Sequence, residues 1–199
     1  MKTLNAIVTV TFFAATAAFA HEGQEHMAGG GLFGLPPEYI HVLLNPLPVY
    51  GLLMGILALV GALLWRNKTA RIIGLGLIFI ATASIWPVEH FGENAYKEIR
   101  GRADVAGVTA LDEHMERAEK WSWLFYTTAF LALVGVVSEK KFPKAATPLA
   151  LTTCLFAIAA LTAGGWISKA GGQIRHPEFR AIESHHAETN SETTNKLSL

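Results

Sequence analysis

Apolar residues in this chain come in blocks rather than at the period of two or 3.6 that marks a half-buried strand or helix. Four blocks stand out, at residues 42–64, 72–87, 121–137 and 145–167. Each approaches the roughly 20 residues that a membrane-spanning helix needs; the second is short and needs extension through its flanks. Only helices and closed barrels satisfy the backbone inside a bilayer, and these blocks are too long for barrel strands. The expected fold is therefore all-α, an integral membrane four-helix bundle occupying residues 38–180.

The polar stretches between the blocks set an orientation. "WRNKTAR" joins the first two blocks with Arg66, Lys68 and Arg71 and no acid, and "SEKKFPKAA" joins the last two with Lys140, Lys141 and Lys144 against Glu139. Short basic connectors stay cytoplasmic. The N-terminus, the 88–120 connector and the C-terminus then face outward. An independent feature agrees: Lys2, a short apolar core and Ala18-Phe19-Ala20 resemble a secretory signal peptide over residues 1–20, cleaved before His21. The expected location is the bacterial inner membrane, N-out and C-out, with the functional face periplasmic. Residues 21–37 read as a flexible His/Gly-rich leader and 181–199 as a disordered polar tail. As a mature N-terminus, His21 would pair an amine with an imidazole, a copper-chelating set if further ligands converged on it.

Within the blocks, Gly51, Gly55, Gly74, Ala81 and Gly164 are small residues of the kind that let membrane helices approach closely. Pro46 and Pro48 are expected to distort the start of the first helix and free backbone carbonyls there.

Composition narrows the chemistry. The chain has 199 residues, of which 51% are hydrophobic and only 16% charged, against about 25% charged in soluble domains. The formal net charge of zero offers no attraction for nucleic acid. A single cysteine, Cys154, excludes a disulfide framework, a thiolate cluster and covalent haem attachment through C-x-x-C-H. There is no phosphate-binding loop, no nucleophile elbow and no H-E-x-x-H helix.

The histidines carry the remaining signal. Of eight, four fall at outer ends of the expected helices: His41 opens the first, His90 ends the second within "WPVEHFGENAYKEI", His114 precedes the third and His176 follows the fourth. Thr109 and Asp112 form an S/T-x-x-D/E start signal, which predicts a helix from about Ala110. His114, Ala118, Trp121 and Phe125 then share one stripe, so His114 lies on a buried or interfacial face. Asp112, Glu113, Glu116 and Glu119 take the other faces and read as a solvated surface.

Imidazole is the common ligand of haem iron, Zn and Cu. One reading is a haem b centre held by His41, His90, His114 and His176 and passing electrons to periplasmic or membrane redox proteins. A second is Cu or Zn handling, with Glu93 joining the four histidines as a ligand and Glu89 and Glu178 orienting them. A third is a structural subunit of a larger complex or a homo-oligomer, its histidines merely capping the bundle. All three describe a carrier or binding protein in a lipid bilayer rather than an enzyme.

"HVLLNPLP", "HFGENAYKEI", "LDEHMERAEKW" and "GGQIRHPEF" resemble the motifs of the four-helix membrane proteins of domain-of-unknown-function family 2231. The likeness runs over about 140 residues, from Tyr39 to Phe179. His41 and Pro48 match the family's opening motif, Gly92, Glu93 and Ala95 its second, His114 and Ala118 its third, and Gly171, Gly172 and His176 its last. Pro46 stands where the opening motif has a second histidine. The resemblance implies a redox role and a haem, because family members occur beside or fused to c-type cytochrome and Rieske-type domains.

Overall fold

The computed structural model describes residues 34–180, so the signal-peptide, leader and tail expectations for residues 1–33 and 181–199 lie outside the described residues. All regular structure among the described residues is helical, and four helices are long and apolar enough to cross a membrane: Pro37–Leu64, Lys68–Arg102, Val105–Lys141 and Pro143–Arg175. This is the architecture of a multi-pass membrane protein.

The first span opens with α1 (Pro37–Leu44), whose Pro37 takes the initial position where a missing N–H costs nothing. Pro46 and Pro48 then widen the backbone into a π turn (Leu47–Gly51) before α2 (Leu52–Leu64) continues. Asn67 caps α3 (Lys68–Ala83), its side chain accepting from the Ala70 N–H at 3.0 Å.

The second span corrects an expectation. "WPVEHFGENAYKEI" was expected to leave the helix into a polar connector, yet the chain turns only at Ser84 and runs on as α4 (Ile85–Arg102). Pro87 sits in the first turn of α4, where no intrahelical N–H bond is required of it. Beyond it, Glu, Ala, Lys and Arg are strong helix formers, and Glu98 pairs with Arg102 one turn on at 2.5 Å. The 88–120 segment is thus almost wholly helical.

The start of α5 (Val105–Lys141) also differs. Asp104 is the N-cap, accepting from the Gly107 N–H at 2.8 Å, so the helix begins more than a turn before Ala110. Thr109 spends its hydroxyl on the Val105 carbonyl inside the helix, and Asp112 instead pairs with Arg100 at 2.5 Å. After the brief turn at Phe142, α6 (Pro143–Arg175) runs back to the end that carries His41 and His114.

Close approach holds the spans together. A Cβ on Gly74 would meet the Leu59 backbone nitrogen at 2.8 Å, and one on Gly55 would meet Ile78 at 2.9 Å, so α2 and α3 touch almost backbone to backbone. Ala146, Ala150, Ala157 and Ala160 form a buried small-residue stripe on α6, while Leu57, Ile80, Phe130 and Leu155 point outward as a lipid-facing surface would. At the end carrying the two basic turns, Arg71 of α3 forks onto the buried Glu139 of α5, with one N–H···O bond at 2.9 Å, and also donates to Thr147 of α6 at 3.0 Å. At the opposite end α1 packs on α4, which sets His41 beside the helix that carries Glu89 and Glu93.

Candidate functional site

Two of the four singled-out histidines meet at the end opposite the basic turns. His41 projects from α1 and His114 from α5, and their rings lie edge to face with centroids 6.3 Å apart. His41 Nδ1 bonds the Val88 carbonyl of α4 at 2.8 Å, and His114 Nδ1 bonds the Ile167 carbonyl of α6 at 2.9 Å. A carbonyl only accepts, so each Nδ1 carries the proton. Each Nε2 of the neutral rings is then left with its lone pair, and neither Nε2 makes a hydrogen bond among the described residues. All four spans contribute, two with an imidazole and two with the carbonyl that fixes its tautomer and tilt.

Each ring also rests on a glycine. A Cβ on Gly92 would stand 2.9 Å from His41 Nδ1, and one on Gly171 would stand 3.2 Å from the His114 ring. Any larger residue at either position would displace an imidazole.

Cavities flank the pair. One, of about 290 Å³, reaches along α4 and α5 and is lined by Glu89, Glu93, Glu119 and Ser122 on its polar side and by Ile85 and Val88 on its apolar side. The other, of about 780 Å³, opens between α1 and the C-terminal end of α6 and is lined by Tyr39, Leu111, Arg102, Arg175 and His176 among others. His41, Asn45, Gly92, His114 and Met115 line both, so the imidazoles stand at the join between the two spaces.

The other sequence-derived candidates are placed as follows. His176 is exposed at the rim of the larger cavity, its Nδ1 on Glu178 at 2.8 Å and its ring stacked on Phe179. Glu178 is therefore tied to His176 and not to the inner pair. Its own backbone N–H, and then His176, hold its carboxyl below the usual range. His90 is not brought to the others. Its ring is exposed, stacks on Trp86 with centroids 5.8 Å apart, and meets the Asn94 amide at 3.3 Å. Glu89 lines the smaller cavity and accepts from the Tyr126 hydroxyl at 2.5 Å; Glu93 lines the same cavity. No group of three or more His, Cys, Asp or Glu side chains is gathered in metal-holding geometry among the described residues.

Outside the cavities, Arg180 ties two helices together. Arg180 bonds Asp104 at 2.8 Å and the Gln173 and Ile174 carbonyls at 2.6 and 3.0 Å, joining the start of α5 to the end of α6. Arg180 and the Gly107 N–H together hold the Asp104 carboxyl below its usual range. Sequence reasoning missed three parts of this arrangement: the Val88 and Ile167 carbonyls, the two supporting glycines and the Asp104–Arg180 tie. Only Asp104 had a local signal, as a capping residue ahead of a helix.

Two imidazoles are the nitrogen donors that this geometry brings together. A tetrahedral Zn or Cu site takes three or four protein ligands, whereas haem supplies four equatorial nitrogens and takes up to two axial side chains. The larger cavity, about 780 Å³, is in the range of roughly 300–1,000 Å³ typical of cofactor sites. Comparison with protein-family models, with curated proteins and with solved structures found no match to this chain.

Proposed function

We propose that this is a periplasm-facing, b-type haem protein of the bacterial inner membrane that relays electrons, with His41 and His114 as the residues that would hold the haem. The observation that carries the reading is the pair itself: two imidazoles from different spans, ring centroids 6.3 Å apart, both in the Nδ1–H tautomer, with their unbonded Nε2 atoms the groups left for a ligand. A ligating histidine almost always gives its other N–H to a carbonyl or carboxylate, as both do here. A haem held by His41 and His114 would supply one-electron chemistry. The chain's own part is to fix the imidazoles, exclude water through Ile85, Val88, Leu111 and Met115, and open toward the membrane surface for a redox partner.

The outward orientation rests on the basic Arg66–Arg71 and Lys140–Lys144 turns at the far end. Membership in the domain-of-unknown-function family 2231 belongs to the same proposal, supported by the motifs that contain His41, Gly92, His114 and Gly171.

The test is an absorption spectrum with metal analysis on the full chain purified from cells supplied with haem precursor. The expected result is a Soret band that shifts on reduction, lost in His41→Ala and in His114→Ala. No Soret band after added haemin, with stoichiometric Cu or Zn instead, would overturn the haem reading in favour of metal handling.

A further inference from the structure

The two cavities beside the histidine pair carry opposite charge. The smaller is lined by Glu89, Glu93 and Glu119 and by no lysine or arginine. The larger is lined by Arg102 and Arg175, with Glu38 its one carboxylate. Arg102 is already engaged, by Glu98 at 2.5 Å and Glu38 at 3.5 Å. Arg175, in the last turn of α6, makes no ion pair among the described residues and is exposed at the cavity wall. A ligand held between His41 and His114 therefore meets a carboxylate-lined space on one side and a space with a spare guanidinium on the other.

Resting on the haem reading, we infer that the larger cavity is the seat of the cofactor's two propionates, with Arg175 as their principal cation and Arg102 as a second. The physical case is electrostatic. Turned toward Glu89, Glu93 and Glu119, two carboxylates would meet like charges, and both would be penalised. Turned the other way, they meet a planar guanidinium able to bind a carboxylate in a fork. Ile85 and Val88 would then be the side chains left to meet the apolar edge of the ring. His41 and His114 hold the metal but do not distinguish the two directions; the arginines do.

The discriminating probe is haemin against its dimethyl ester, in which both propionates are capped and uncharged while the iron and ring are unchanged. Each is titrated into the haem-free full chain in detergent and followed by the Soret band. Wild type is expected to bind haemin about tenfold or more tightly than the ester. Arg175→Ala should lose that preference while binding the ester as wild type does, which also shows the variant is folded. Arg175→Lys should keep part of it. Equal affinity for the two porphyrins in wild type, or an unchanged preference in both Arg175→Ala and Arg102→Ala, would overturn the assignment of the arginines. Failure of both porphyrins to give a six-coordinate spectrum would instead sink the haem reading itself, and the inference with it.

Discussion

Gly92 of α4 and the His41 ring of α1 are so close that a Cβ on Gly92 would lie 2.9 Å from Nδ1. The contact makes the glycine part of the histidine's position. The same ring is pulled onto the Val88 carbonyl one turn earlier on α4, so His41 is held by a bond and a steric stop on one helix. Gly92→Ala is expected to push the imidazole off that carbonyl and, on the proposed haem reading, to weaken haem retention roughly ten- to hundredfold, the equivalent of about 1–3 kcal/mol of overpacking. Gly171→Ala should do the same more mildly at His114, where the contact is 3.2 Å. Gly76→Ala is the control, because nothing lies within 4 Å of a Cβ there. Soret intensity and helical circular dichroism measured together separate the outcomes; equal haem retention in all three variants would refute the steric account.

Arg71 and Glu139 tie α3 to α5 at the opposite end, with Glu139 only 1% exposed. A buried charge that loses its partner is strongly destabilising, by about 3–5 kcal/mol. Arg71→Ala should therefore lower the thermal midpoint in detergent substantially, and Glu139→Ala by a similar amount, since either leaves one ion alone. The double variant Arg71→Leu/Glu139→Leu removes both charges and should recover much of the loss. A double variant as unstable as the sum of the two single ones would show that the pair acts independently, against the geometry.

The α2–α3 contact makes a similar claim about shape alone. A Cβ on Gly74 would lie 2.8 Å from the Leu59 backbone nitrogen and 2.9 Å from its Cα, and backbone cannot swing aside as a side chain can. Gly74→Ala should cost about 1–3 kcal/mol, against a near-zero or slightly favourable effect for Gly76→Ala on the same helix. Protease resistance in detergent micelles, read for both variants side by side, checks the contrast; equal behaviour would mean the helices are not in contact there.

These contacts explain what the chain disclosed in advance. Spans were legible because a bilayer-length apolar block has few other solutions. The helical extensions past them were not, since segment 88–102 is polar, and a solvated helix and a solvated connector share a composition. Had α4 been expected as a helix, its faces would have followed: Val88, Glu89, Gly92 and Glu93 line one side, and His90 falls away from them at 100° per residue. The start of α5 was misplaced because Thr109 and Asp112 imitate a start signal, whereas Asp104 caps the helix more than a turn earlier. Gly92 and Gly171 were visible only as motif letters. Their role is tertiary, since the rings they admit belong to other spans.

Asp104 gives the last prediction, and its sign can be worked out. The Arg180 and Gly107 hydrogen bonds lower its folded pKa below the unfolded value, so the folded state binds a proton less readily than the unfolded one. The stability it contributes is present above the unfolded pKa, near 4, and is lost as pH falls through the lower folded value. Asp104→Asn keeps a good helix cap but removes the charge that meets Arg180. Wild type should therefore be slightly more heat-stable than Asp104→Asn at pH 7, with the gap constant down to about pH 5 and closing below about pH 4. Because Asp104 is solvent-exposed, the gap should also shrink in high salt. A gap that widened on acidification would mean that the carboxylate is repelled rather than held, and would remove the Arg180 tie from the account of how α5 is joined to α6.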